Sequence, residues 1–265
     1  TYTLTVTAKE NSNFTGSAST TWKIQAAENE WLEKPSVTNW TYGDEPTVKA
    51  GTPRFGTVTV EYFRSGESLG STVPTDAGSY RAVFKVVEDS NFKDLSETVD
   101  FTISKKPLTV TANPKTITYG EKPANDGVTY EGFVNGENEE VLTGTLDFAY
   151  DYAQYGNVGS YHITPKGLTS GNYDITFTKG ILTVKQKDVT IQDVAVEASK
   201  VYDGTTVAAI THNGRLSANF DGENLTFHVG TAAYDNKNAG EHKTVTFTGF
   251  SLEGSAAGNY HLTGQ

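Results

Sequence analysis

Apolar and polar residues alternate with a period of two along most of this chain. Val58, Val60 and Tyr62 interleave with Thr57, Thr59 and Glu61, and Val99, Phe101 and Ile103 with Thr98, Asp100 and Thr102. Leu108, Val110 and Ala112 alternate with Thr109 and Thr111, and Val245 and Phe247 with Thr244, Thr246 and Thr248. Successive side chains of a strand leave opposite faces, so this pattern predicts half-buried antiparallel strands with threonine on the wet face. Residues 1–8 alternate in the same way. Clusters of Gly and Asn between the alternating runs supply turns. One stretch departs from the period. Residues 135–142 crowd Glu137, Glu139 and Glu140 ahead of Val141 and Leu142, which predicts a helix of one or two turns whose positive end the carboxylates favour. Residues 221–224 are a shorter echo of it.

Three landmarks recur in fixed order. The first is a Tyr-Gly or Tyr-Asp-Gly turn at Tyr42, Tyr119 and Tyr202, spaced 77 and 83 residues apart. The second is a glycine ahead of a strand at Gly78, Gly159 and Gly240, spaced 81 residues both times. The third is an Asn-aromatic step at Asn13-Phe14, Asn91-Phe92, Asn172-Tyr173 and Asn259-Tyr260, spaced 78, 81 and 87. Order and distance kept together are the signature of tandem repeats. The landmarks predict the last strands of a preceding repeat over residues 1–26, full repeats over 29–105 and 106–186, and a third over 187–265. The first two full repeats finish on a closing strand, residues 99–103 and 181–184; the third lacks one, so both ends of the chain are expected to cut through a repeat. The junctions at residues 103–108 and 184–189 are short and not Gly/Ser-rich, which argues against a random-coil tether. The expected fold is all-β: antiparallel Ig-like β-sandwiches, each burying its own core, abutting in an elongated array. The alternative for the second full repeat is a β-grasp unit in which the short helix packs on a curved sheet.

Composition narrows the chemistry. With 265 residues, no Cys and a formal net charge of -11, the chain is neither a disulfide-stapled scaffold nor a thiolate metal site, and it carries no cysteine nucleophile. The acidic balance disfavours nucleic acid and anionic lipid as partners. No apolar run reaches membrane-span length.

Three stretches carry a resemblance. Pro107 to Ala112, Tyr119-Gly120-Glu121, Glu131 to Gly136, Gly159-Ser160-Tyr161, Asn172-Tyr173 and Gly180 to Val184 resemble the bacterial MBG repeat of the YGX type. Lys200 to Thr206, Ala239-Gly240 and Ala257 to Tyr260 resemble the sister YDG repeat, with a departure at His242. Trp40 to Asp44 and Thr75 to Tyr80 look like a bacterial Ig-like relative. The resemblance implies a bacterial surface or secreted protein, often a large adhesin, and brings no catalytic residue with it.

Candidate chemistry is sparse. His162, His212, His228, His242 and His261 lack metal-ligand spacing, and no Gly-x-Ser-x-Gly turn follows a strand. No catalytic residue, resident metal or cofactor is expected. The weaker options are three. Asp235, Asn236 and Asn238, with residues 88–91, offer loop oxygens for calcium. Trp31 and Trp40 with Tyr42 could form an aromatic platform for a ligand, against the alternative that they fill the core. A Lys–Asn isopeptide cross-link would need a buried carboxylate beside both groups. The expected role is that of a non-catalytic stalk in a bacterial cell-surface or secreted adhesin, contacting adjacent repeats of the parent chain. The alternative is a module that binds a host glycan, mucin or matrix protein directly. The two ends could also associate between molecules by strand addition.

Overall fold

A computed structural model describes residues 2–11, 13, 15–87 and 91–264. The Asn13-Phe14 step and residues 88–90 of the calcium candidate therefore lie partly or wholly outside the described residues. The chain is β throughout, as the alternation requires, and divides into two compact units. Unit 1 comprises residues 1–107, 134–137 and 170–174; unit 2 comprises 108–133, 138–169 and 175–265.

In unit 1 a five-stranded sheet runs in the order Trp40–Thr41, Leu95–Ser104, Gly78–Val86, Thr59–Arg64, Glu67–Gly70. All its neighbours are antiparallel except the first pair. Short ladders join Trp31–Glu33 to Thr52–Pro53 and Ser36–Val37 to Val48–Lys49. The alternation lands as expected: Tyr80, Ala82, Phe84, Val86, Phe101 and Ile103 are buried, while Arg81 and Asp100 pair on the wet face with Nε 2.7 Å from Oδ1. Phe101 is the hub. It stacks on Trp40 and Tyr80, with centroids 5.1 and 5.6 Å away, and receives Tyr62 edge-on. The strand expected over residues 1–8 forms as Tyr2–Thr7, paired with Ser17–Trp22. It is not half-buried: Tyr2, Leu4, Val6 and Trp22 are all exposed.

In unit 2 a four-stranded sheet runs Lys115–Thr118, Gly180–Lys185, Gly159–Thr169, Thr143–Tyr150. Lys106–Ala112 pairs with Val128–Glu131 in another sheet. Leu108, Val110, Ala112, Ile163 and Leu182 are almost fully buried. The third repeat is built from shorter ladders, among them Ile191–Val196 with Ile210–Leu216 and Val207–Ala208 with Thr231–Tyr234 and Val245–Thr248. One apolar cluster runs from Ile117, Tyr119, Ile163, Leu182 and Val184 to Leu225, Ala256 and Tyr260. The expectation that every repeat buries a wholly separate core gives way here: large aromatic side chains from two repeats close one core.

The helix expected at residues 135–142 shrinks to a single 3-10 turn, Glu139–Val141, capped by the Asn138 side chain accepting from the Glu140 amide at 2.9 Å. The β-grasp alternative loses the helix it needs. Residues 221–224 form a turn, and a second 3-10 turn occupies Ala257–Asn259. The reason is local: Asn135 and Gly136 both take positive φ, 56° and 73°. That is a type I′ geometry, which ends any helix before it starts.

Candidate functional site

The recurring landmarks converge in two places, once in each unit, with the same chemistry. In unit 1 the Tyr42 hydroxyl donates to Glu137 Oε1 at 2.5 Å, and the Tyr173 hydroxyl donates to Oε2 of the same carboxylate. The two rings meet edge to face, centroids 5.5 Å apart at 78°. In unit 2 the Tyr119 and Tyr260 hydroxyls donate to Oε1 and Oε2 of Glu223, with rings 5.4 Å apart at 73°. Each half-buried carboxylate thus serves as the shared acceptor of two phenols, an arrangement of charge-assisted bonds stronger than neutral ones.

Local sequence explains how each carboxylate is presented. Val134-Asn135-Gly136-Glu137 and Phe220-Asp221-Gly222-Glu223 are corresponding turns of different backbone type, since Asn135 takes positive φ and Asp221 does not; each is closed by the same bond, Glu137 N–H donating to the Val134 carbonyl at 3.0 Å and Glu223 N–H to the Phe220 carbonyl at 3.3 Å. Gly222, like Gly136, has positive φ, where glycine alone is unstrained. The turn also delivers its first residue against the landmark glycine of the other side. Gly43 and Gly120 have φ of 83° and 89°, and a methyl group on either would run into Val134 or the Phe220 ring.

The Asn of each Asn-Tyr step completes the clasp. Asn172 Oδ1 accepts from the Ala77 amide and Asn259 Oδ1 from the Val158 amide, both at 2.9 Å. Their side-chain NH2 groups donate to Asp76 Oδ1 at 2.9 Å and Asn157 Oδ1 at 3.1 Å. So the Tyr-Gly turn, the residues just before the strand glycine, and the Asn-Tyr step all contribute to the same clasp.

The phenols feel the carboxylates. Burial, then the bond to the neighbouring glutamate, pushes Tyr119 and Tyr173 up from 10.0 to about 12. The bond to Glu137, then burial, raises Tyr42, and burial followed by Glu223 raises Tyr260 further. Each hydroxyl therefore keeps its proton, and donates it to the carboxylate, well above neutral pH.

The structure places the residues proposed from sequence as follows. Tyr42 is a clasp residue, 8% exposed. Trp40 is half-buried and stacks on Phe101; Trp31 is half-buried, and its Nε1 is buried without a hydrogen-bond partner among the described residues. Asp235, Asn236 and Asn238 do converge, but on a lysine: Lys243 Nζ lies 3.1 Å from Asp235 Oδ1, 2.5 Å from Asn236 Oδ1 and 3.1 Å from the Asn238 carbonyl. The ammonium stands where a calcium ion would need these oxygens. This Lys–Asn pair also fails the needs of a cross-link. The lysine beside it holds Asp235 below the usual carboxylate range, whereas condensation needs a protonated acid to activate the amide.

Glu137 and Glu223 are the clasp residues that residue patterns missed. The signal was present as a repeated Asx-Gly-Glu, 86 residues apart, but its acidic run reads as a helix start.

No helix among the described residues is long and apolar enough to cross a membrane. The chain matches no curated protein. Among solved structures, Drosophila N-cadherin EC1-4 aligns over 92% of this chain and 80% of that chain, at 12% identity and a TM-score of 0.20, a value too low to carry an argument. Family models match at two places: the MBG domain (YGX type) over residues 108–183 and the YDG domain over residues 185–265. Together they cover more than half of the sequence, and the chain is a tandem-repeat protein carrying an MBG domain of the YGX type followed by a YDG domain.

Proposed function

We propose that this chain is a non-catalytic spacer in a bacterial cell-surface or secreted adhesin, in which tyrosine–carboxylate clasps hold successive repeats in fixed register. The observation that carries the reading is the duplication of one Tyr–Glu–Tyr clasp, with corresponding hydrogen bonds and the same edge-to-face ring contact, at 78° and 73°. A free linker would need none of this. Each clasp ties the Tyr-Gly turn of one repeat to the glutamate turn and the Asn-Tyr step of the next, so swivelling would break several bonds at once. Stability then follows from each unit plus its nearest-neighbour contacts. The Thr-rich wet faces and net negative charge keep such an array soluble.

Small-angle scattering tests this. The expected profile is that of one extended conformer, and the Glu137→Ala/Glu223→Ala pair is expected to broaden it into a mixture. A compact globule, or a profile indifferent to both substitutions, would defeat the spacer reading.

A further inference from the structure

Asn-Gly pairs stand at Asn135-Gly136 and Asn213-Gly214, and the structure makes them unlike. Glycine, lacking a side chain, leaves its amide nitrogen free to approach the preceding asparagine. Asn135 and Gly136 sit on an exposed turn, at φ of 56° and 73°. The bond that closes this turn uses a different N–H, that of Glu137, donated to the Val134 carbonyl at 3.0 Å. Among the described residues, neither the Gly136 N–H nor the Asn135 side chain has a hydrogen-bond partner. A methyl group built on Gly136 would meet nothing within 4 Å.

The second pair has the same residues in the opposite setting. Asn213 lies within the strand Ile210–Leu216, opposite Val194. The Gly214 N–H donates to His212 Nδ1 at 3.0 Å, and a methyl group on Gly214 would lie 2.2 Å from the Gln192 carbonyl oxygen. Its amide is engaged and the space around it is filled, whereas the Gly136 amide is free and open.

We propose that Asn135 is a site of spontaneous deamidation whose isoaspartate product opens the Tyr42–Glu137–Tyr173 clasp. The Gly136 amide nitrogen gives its proton to solvent and attacks Asn135 Cγ. The N–Cγ bond forms, the bond from Cγ to the side-chain nitrogen breaks, and ammonia leaves with a proton taken from water, closing an imide ring. Water then opens the ring from either side. Attack at Cγ gives aspartate; attack at the α-carbonyl gives isoaspartate, whose main chain runs through Cβ and Cγ. The two products differ in consequence. The sister clasp already carries aspartate at this turn position, Asp221, and aspartate tolerates the left-handed φ of Asn135. Isoaspartate instead inserts a methylene into the backbone between Val134 and Glu137. Both of those residues hold the clasp: the Val134 N–H donates to the Tyr173 hydroxyl at 3.1 Å, and Glu137 accepts from both phenols. A turn lengthened between them cannot keep all three bonds. This follows from the clasp geometry and is independent of the spacer reading.

The test ages the full chain at mildly alkaline pH and follows it by intact mass and peptide mapping. A gain of about 1 Da is expected, as amide becomes acid, and it should map to Asn135 with isoaspartate as the main product. Asn213 is expected to react about tenfold more slowly, because its glycine amide must first leave a hydrogen bond. In urea the two rates should converge. The aged chain is expected to melt at a lower temperature, and isoaspartate methyltransferase with S-adenosylmethionine should restore the loss by returning isoaspartate to aspartate. Freshly made Asn135→Asp should melt as the parent does, and Asn135→Gln should survive ageing unchanged. Three results would overturn the proposal: no reaction at Asn135 in the folded chain, reaction at Asn213 as fast as at Asn135, or isoaspartate at Asn135 with no fall in melting temperature.

Discussion

Tyr42 and Tyr173 meet edge to face with centroids 5.5 Å apart, and their hydroxyls grip opposite oxygens of the Glu137 carboxylate. Tyr119 and Tyr260 do the same around Glu223. The relationship makes each glutamate worth more than either tyrosine. Removing one phenol leaves a carboxylate with one good donor; removing the carboxylate leaves two part-buried hydroxyls facing each other.

Tyr119→Phe is therefore expected to cost about 1.5–3 kcal/mol, the range for a bond to a charged group, and Glu223→Ala somewhat more. A double-mutant cycle of Tyr119→Phe with Glu223→Gln, read by urea unfolding, is expected to give a coupling energy of at least about 0.5 kcal/mol. Additive effects would mean that the contact carries no energy.

Alkali tests the same clasps through protons. Tyr119 and Tyr173 bind their protons more tightly when folded, near 12, than the ordinary 10.0 of a free phenol. A raised folded value means that the stabilisation is complete below pH 10 and is lost as pH climbs towards 12. The melting temperature is expected to fall across that window, together with a rise in tyrosinate absorbance. The variant Tyr42→Phe/Tyr119→Phe/Tyr173→Phe/Tyr260→Phe is expected to show a shallower fall.

Gly120→Ala places a methyl group where the Phe220 ring stands, on a backbone at φ of 89°. The strain of a left-handed non-glycine residue is of order 1–3 kcal/mol before the clash is added. Calorimetry is expected to show a lower melting temperature for this variant, whereas Gly66→Ala, with open space around it, isolates the backbone term alone.

Asn259 is, tyrosines aside, the one buried polar side chain among the described residues, at 5% exposure, and it bonds the Val158 amide and Asn157. Asn259→Ala leaves that amide without its partner and is expected to cost about 1–3 kcal/mol. Hydrogen exchange at Val158 should speed up in step. Unchanged exchange there would show that the bond does not hold the clasp.

The β architecture was legible from alternation because side-chain direction in a strand is a local property. Phe101, Ile103, Val110 and Ala112 are buried, as their spacing predicts. The Tyr, Gly and Asn landmarks were legible as a period, but not as parts of one contact. The acidic run at Glu137 misled because carboxylates at a helix start and at a turn look alike until the φ of Asn135 is known.

The sequence alone determined the strands, the repeat length and the two domain families, since these depend on neighbours a few residues apart or on a motif's own spacing. Tertiary structure alone decided that Tyr42 and Tyr173 share one glutamate. Those three residues are brought together across 95 and 36 positions, and only packing converts such separations into a hydrogen-bond distance.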